Sequence, residues 1–225
     1  MLVKDAEKTI GGESCGLTNA SKMPSKSFSI PARLTCPIGD VLADCAGTVC
    51  HGCYAMKGRY AMENTINAQA RRLAILERAL VNADARADWI SAMGFLVKRQ
   101  GRYFRWHDSG DIFSQEYLDL ILDVVTLTPK VKHWIPTKEV GLISKNRERI
   151  ESLPNLVVRV SDFLIGFAGR KNRGFCGSSV NAQVHIRNTR MENSRDCKSY
   201  TRDNNCGSCR LCWNSKFRNI NYKLH

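Results

Sequence analysis

The 225-residue chain has no apolar run approaching the roughly 18 to 20 residues that a membrane-spanning helix needs. Its opening residues, Met-Leu-Val-Lys-Asp-Ala-Glu-Lys, lack the apolar stretch of a secretory signal. No low-complexity tract and no solenoid repeat appears. These absences point to a cytoplasmic globular chain without a membrane partner, a compartment in which disulfides are rare. Acidic residues are also scarce: 21 Asp+Glu stand against 34 Lys+Arg, a net charge of +13. Asp108, Asp111 and Asp162 are the best candidates for metal-binding carboxylates, and they are ordinary at strand ends, so a carboxylate-metal nuclease is weakly supported.

What the chain does have is ten cysteines, eight of them in two quartets. Cys36, Cys45, Cys50 and Cys53 are spaced C-x8-C-x4-C-x2-C, and Cys197, Cys206, Cys209 and Cys212 are spaced C-x8-C-x2-C-x2-C. Cys15 and Cys176 stand alone and read as small packed hydrophobes. Closely spaced thiolates converge on one metal centre, whereas a disulfide framework suits a short secreted chain. Structural zinc usually takes two C-x2-C pairs separated by a longer loop. The C-x2-C-x2-C triple instead matches the ferredoxin run, so each quartet is assigned a 4Fe-4S cluster, with zinc as the alternative.

The positive charge is uneven as well. Residues 169–225 hold twelve Lys+Arg and three Asp+Glu. Basic side chains alternate there with Phe175, Tyr200, Trp213, Phe217 and Tyr222, a pattern that fits neutralising phosphates and stacking bases. A nucleic acid or nucleotide is therefore the expected partner. The competing reading is that these arginines balance the charge of thiolate-bound centres.

Periodicity divides the rest. Residues 1–26 read as an irregular lead-in, and Ser27–Leu34 as a short strand ended by Pro31. Helices are expected over Glu63–Leu80, with Ile66, Ala70, Leu73 and Leu80 as the apolar stripe, and over about Asp84–Val97. Tyr103–Asp108 alternates as a strand. Ser114 is placed to cap a helix over Gln115–Leu127. Val131–Thr137 is a strand, Gly141–Leu153 a helix, Leu156–Val160 a strand and Ser179–Arg187 a fifth. The alternation predicts an α/β fold: a partial (β/α) barrel or open parallel sheet of four to five units over 27–168, with a cysteine-rich extension over 169–225. Ligands of such sheets bind at the carboxyl ends of the strands.

Several strands carry a polar parity where buried parallel strands are normally apolar. Arg105, His107 and Ser109 share one parity, Arg159 and Ser161 another, and Gln183, His185 and Arg187 a third. His133 and Thr137 lie on one parity of the middle strand, with Lys138 at its end. An interior site lined by Arg105, His107, Lys138 and Arg159 is the expectation. Ser109-Gly110-Asp111 follows the first of these strands as a turn that permits close backbone approach.

Three stretches carry a resemblance. Lys22-Met23-Pro24 through Ser27-Phe28-Ser29-Ile30-Pro31 and Cys36-Pro37 leads to Cys50-His51-Gly52-Cys53-Tyr54-Ala55-Met56-Lys57-Gly58-Arg59-Tyr60. With His107-Asp108-Ser109-Gly110-Asp111-Ile112-Phe113-Ser114 and Cys206-Gly207-Ser208-Cys209-Arg210-Leu211-Cys212-Trp213, it resembles the phage "gene product 88" family, which would place the chain in host-cell cytoplasm. More distantly, the order of elements is similar to radical S-adenosylmethionine enzymes. That resemblance implies a catalytic cluster on Cys45, Cys50 and Cys53, with Ser109, Gly110 and Asp111 receiving the amino group of S-adenosylmethionine. It also implies an auxiliary cluster on the second quartet. The spacing here is C-x4-C-x2-C where those enzymes have C-x3-C-x2-C, and Cys36 as a fourth ligand would close the cluster. The expected function is an iron–sulfur enzyme acting on a nucleic acid or nucleotide. The alternative is a non-catalytic nucleic-acid-binding protein stapled by two closed centres.

Overall fold

The computed structural model describes residues 1–12, 16–167, 174–181 and 193–224. Seven strands form one sheet: β1 (Ser27–Phe28), β2 (Tyr103–Trp106), β3 (Lys132–Thr137), β4 (Leu156–Ser161), β5 (Cys176–Asn181), β6 (Ser194–Asp196) and β7 (Asn219–Lys223). Their order is β1-β2-β3-β4-β5-β7-β6, and every pairing is parallel. The helices are α1 (Val3–Thr9), α2 (Pro37–Ala43), α3 (Glu63–Val81), α4 (Ala83–Gln100), α5 (Gln115–Leu127), α6 (Val140–Lys145) and α7 (Arg147–Glu151). The fold is α/β with an open parallel sheet, larger than four or five strands because the cysteine-rich segment adds β6 and β7 to the same sheet.

β1 to β5 lie side by side in chain order, and crossovers of one hand between such strands put their helices on one face. Phe104, Trp106, Ile135, Val158 and Val160 point to that face and are buried with Trp89, Met93, Leu118, Ile121 and Val125. The opposite row runs Arg105, Trp134 and Val157 across three strands, with Arg159 beside Pro136. The C-terminal segment covers this second face: the Trp213 indole donates to the Phe104 carbonyl at 2.8 Å and packs edge-on against Tyr103 and Trp134.

Local signals account for most element ends. Ser114 Oγ accepts from the Tyr117 amide at 3.2 Å, capping α5 as its sequence predicts. The expected helix over 141–153 is two helices, because Asn146 turns its side chain onto Gln115 and the Leu142 carbonyl between them. The expected lead-in contains α1, whose Ala6 joins Ile10 just beyond it in the core. The stripe of α3 is rotated: Ile66 and Ala70 are exposed, while Gln69, Arg72, Leu73 and Leu76 are buried. Arg72 is inside because its guanidinium reaches the carbonyls of Gly16 and Ser29. Most of the predicted fifth strand, including Gln183, His185 and Arg187, lies outside the described residues. No described helix is long and apolar enough to cross a membrane.

Candidate metal centres

The first cysteine loop leaves the carboxyl end of β1 and is stitched to the segment after β4. The Val49 amide donates to the Phe163 carbonyl at 2.9 Å, and the Ile165 amide to the Gly47 carbonyl at 3.0 Å. Pro37 opens α2, where its missing N–H costs nothing. Glu139, just beyond β3, accepts from the Ile38 amide at 2.9 Å and so fixes α2 against the sheet. Burial raises the Glu139 carboxyl to about 7.

Three thiols of this loop gather. A Cβ at Gly39 would lie 3.5 Å from Cys50 Sγ and 3.9 Å from Cys36 Sγ, so both sulfurs flank a position where glycine leaves room. Burial pushes the Cys36 thiol up to about 12, with Asp111, Cys53 and Cys50 adding to it. The Cys50 thiol is raised by burial and opposed by Lys138. Cys45 differs: it is exposed, and its thiol is turned to the Val41 carbonyl at 3.6 Å.

Asp111 and Lys138 lie beside these thiols, at the carboxyl ends of β2 and β3. Asp111 accepts from the amides of Ile112 (2.7 Å) and Lys138 (2.9 Å), and its pKa is raised by burial. Lys138 Nζ donates to the Asp162 carbonyl at 2.8 Å; burial lowers its pKa, and Cys50 heads the charges that oppose this. Two backbone bonds join the Ser109–Gly110–Asp111 turn to the chain after β1, while the buried Ser109 hydroxyl has no hydrogen-bond partner among the described residues. Ser109 O accepts from the Ile30 amide, and the Asp111 amide donates to Thr35 O. Gly110 has φ +85°, and a Cβ there would come within 2.4 Å of Ile30 Cγ1.

Arg105 stands further along the same face. Its Nη2 donates to the Tyr54 hydroxyl at 3.2 Å, and its guanidinium lies 4.8 Å over the Trp134 ring. Asp108 nearby is held by hydroxyls alone. Its carboxylate accepts from Ser27, from Ser29 (2.5 Å) and from Tyr60 (2.7 Å), and its carbonyl accepts from Tyr54 (2.5 Å). Sequence reading missed Tyr54, Tyr60, Gly39 and Glu139 as parts of this region; only their nearness to the cysteines and strand ends marks them.

The second quartet surrounds one cavity, lined by Cys197, Cys206, Cys209 and Cys212 with Arg202 and Ile220. Burial raises the Cys206 thiol, and pushes the Cys212 thiol up to about 12 against a hydrogen bond with Tyr222, whose hydroxyl lies at 3.1 Å. Arg159 fastens this segment to the sheet. Its five N–H groups donate to the carbonyls of Cys212, Gly177, Phe217, Leu211 and Asn214 at 2.8–3.3 Å. None is left for a ligand.

The two histidines face the helices. His107 has φ +55°, which ends the alternation of β2 and turns its ring to the Tyr117 hydroxyl of α5 at 2.8 Å. His133 shares the Phe104 row and contacts Trp106 and Thr128. Burial lowers both to about 3, so both are neutral. The site residues thus separate: Lys138 and Asp111 join Cys36, Cys50 and Cys53; Arg105 lies toward the second quartet; His107 and Arg159 are occupied elsewhere. Cys15 lies outside the described residues, and Cys176 is buried in β5.

Among the described residues, no three His, Cys, Asp or Glu side chains converge as a single metal ion requires. No curated protein and no solved structure matches the chain. Residues 1–165 match the family described as Gene product 88, and the chain belongs to that family.

Proposed function

We propose that the protein carries two 4Fe-4S clusters: the first on Cys36, Cys50 and Cys53, the second on Cys197, Cys206, Cys209 and Cys212. The observation that carries this reading is the gathering of Cys36 and Cys50 around Gly39 while Cys45 stands exposed. The C-x2-C-x2-C run of the second quartet favours a cluster over zinc, whose structural sites usually take two C-x2-C pairs separated by a longer loop. Three thiolates leave one iron with a free position at the carboxyl ends of the strands, the arrangement of a catalytic centre and not of a structural one.

S-adenosylmethionine is the reagent expected for such an iron. In the Ser109–Gly110–Asp111 turn the Ser109 carbonyl, the Asp111 amide and the Asp111 carboxylate already have partners. The buried Ser109 hydroxyl has no hydrogen-bond partner among the described residues and would be the group left to meet its amino group. Lys138 and Asp111 lie beside the thiols of the first centre, and the net charge of +13 favours a nucleic acid or nucleotide as substrate.

Anaerobic purification followed by iron and sulfide analysis tests the reading. About eight iron per chain and a broad visible absorption are expected. Cys36→Ala, Cys50→Ala and Cys53→Ala each lose the first cluster, while Cys45→Ala keeps it. A colourless protein with two zinc ions would overturn the proposal, and loss of colour in Cys45→Ala would give a closed first centre. With both clusters intact, failure to form 5′-deoxyadenosine from S-adenosylmethionine and reductant removes the radical reaction and leaves the iron–sulfur reading.

A further inference from the structure

A continuous chain of contacts joins the two thiol groups. Tyr54 follows Cys53 directly and accepts a hydrogen bond from Arg105 Nη2 at 3.2 Å. Arg105 Nη1 points to the Met23 sulfur at 3.7 Å, and Cys206 Sγ lies 3.9 Å from that same sulfur. Arg105 Nε is buried with no hydrogen-bond partner. Asp108 is the acid nearest in charge to this guanidinium, yet its carboxylate oxygens are taken by Ser27, Ser29 and Tyr60.

Arg105 as a whole is half-buried, and a cation held partly out of water without an ion-pair partner is disfavoured, so proteins normally place an anion against it. Trp134 beneath the guanidinium supplies part of that compensation. Two thiolate-bound 4Fe-4S clusters in the +2 core state, of net charge −1 on three thiolates and −2 on four, would supply the rest from opposite ends of one side chain.

We propose that Arg105 is the shared counter-charge of the two centres, a positioning residue whose fixed positive charge acts on both. This rests on the two-cluster reading above. A fixed positive charge favours the reduced, more negative state of each cluster, so Arg105 holds both potentials up.

The experiment is a redox titration followed by electron paramagnetic resonance on anaerobically prepared protein, with iron content and circular dichroism measured first. Arg105→Gln is expected to lower both midpoint potentials, and Arg105→Lys to keep them near wild type. Should Arg105→Gln fail to fold, Tyr54→Phe keeps the guanidinium and removes its contact beside Cys53. That variant is expected to lower the first potential relative to the second. Unmoved potentials in a folded, fully loaded Arg105→Gln protein, or in Tyr54→Phe where only that variant folds, would overturn the inference. So would movement of one centre alone in Arg105→Gln. Wild-type protein without iron would instead overturn the two-cluster reading, and this inference with it.

Discussion

Arg159, in the middle of β4, donates from Nε to the carbonyl oxygen of Cys212 at 3.0 Å. That bond ties the last cysteine of the chain to the inner face of the sheet, and the other four N–H groups of the guanidinium secure its neighbours. Arg159→Met removes the donors; the Leu211 and Asn214 carbonyls keep the amides of Asn214 and Phe217, whereas those of Cys212 and Phe217 lose Arg159. Each orphaned buried carbonyl costs about 1 kcal/mol or more, so a loss of about 2–3 kcal/mol is expected. Urea unfolding measures it. Limited proteolysis should show new cuts between Cys197 and Arg218, whereas an unchanged midpoint would make the five bonds energetically idle.

Gly39→Ala separates folding from metal binding. In the middle of α2, alanine is favoured over glycine by up to about 1 kcal/mol. The added Cβ, however, would stand 3.0 Å from Cys36 Cβ and 3.5 Å from Cys50 Sγ. Such overpacking typically costs about 1–3 kcal/mol, so the stability change should be small or moderately unfavourable. The first centre should suffer more, because the methyl group occupies the space between its ligands. Iron content is expected to fall from two clusters to one while the fold persists by circular dichroism. Full iron loading in Gly39→Ala would show that Cys36 and Cys50 do not share a centre there.

The sequence made the helical layer and the sheet legible because their signals are local. Ser114 and its cap, the alternation of Phe104 and Trp106, and Gly101 after α4 each act within a few residues. Parity could not say which row faces which way. His133 and Trp134 are adjacent and opposite, and Trp134 is inside only because Arg105 and Trp213 pack on it. His107 left its expected face through one backbone torsion at the end of β2. The separation of Cys45 from Cys36, Cys50 and Cys53 was equally hidden, since α2 sets it and Glu139, 101 residues away from Ile38, fixes α2.

His133 gives a pH dependence whose sign follows from its hydrogen bonds. The Trp106 indole donates to Nδ1 at 3.2 Å, so the ring proton sits on Nε2, which faces Thr128 Oγ1 at 2.7 Å. Protonating Nδ1 would set two donors against each other, in addition to burial, which lowers the pKa to about 3. A depressed histidine contributes stability that is present above its unfolded pKa of about 6.5 and is lost as pH falls toward the folded value. The wild type minus His133→Gln difference should therefore shrink between about pH 6.5 and pH 3, by about 1.4 kcal/mol per unit. The comparison is made against the variant because the raised pKa of Glu139 changes stability in the opposite sense over part of this range. Nitrogen NMR should find the ring neutral at pH 5, and a protonated imidazole there would contradict the burial argument.

The charge predicts how an anionic partner is held. Lys198, Lys216 and Arg218 are exposed on the cysteine-rich segment, whereas Arg159 is enclosed and Arg210 and Arg195 lie over Tyr103 and Phe217. Among the described basic residues of this segment, Lys198, Lys216 and Arg218 are thus the exposed ones with no ring beneath them, apart from Arg202, which lines the second quartet's cavity. Binding of a fluorescent single-stranded oligonucleotide should weaken steeply with salt, and Lys198→Gln and Lys216→Gln should each reduce the logarithmic slope by about 0.7. Loading matters as well: a three-thiolate centre of net charge −1 and a four-thiolate centre of −2 would lower the +13 of the chain to about +10, so the loaded protein should bind more weakly than the metal-free one. A Kd independent of salt, or unchanged in both variants, would exclude phosphate contacts by this segment and return its arginines to balancing the thiolates they surround.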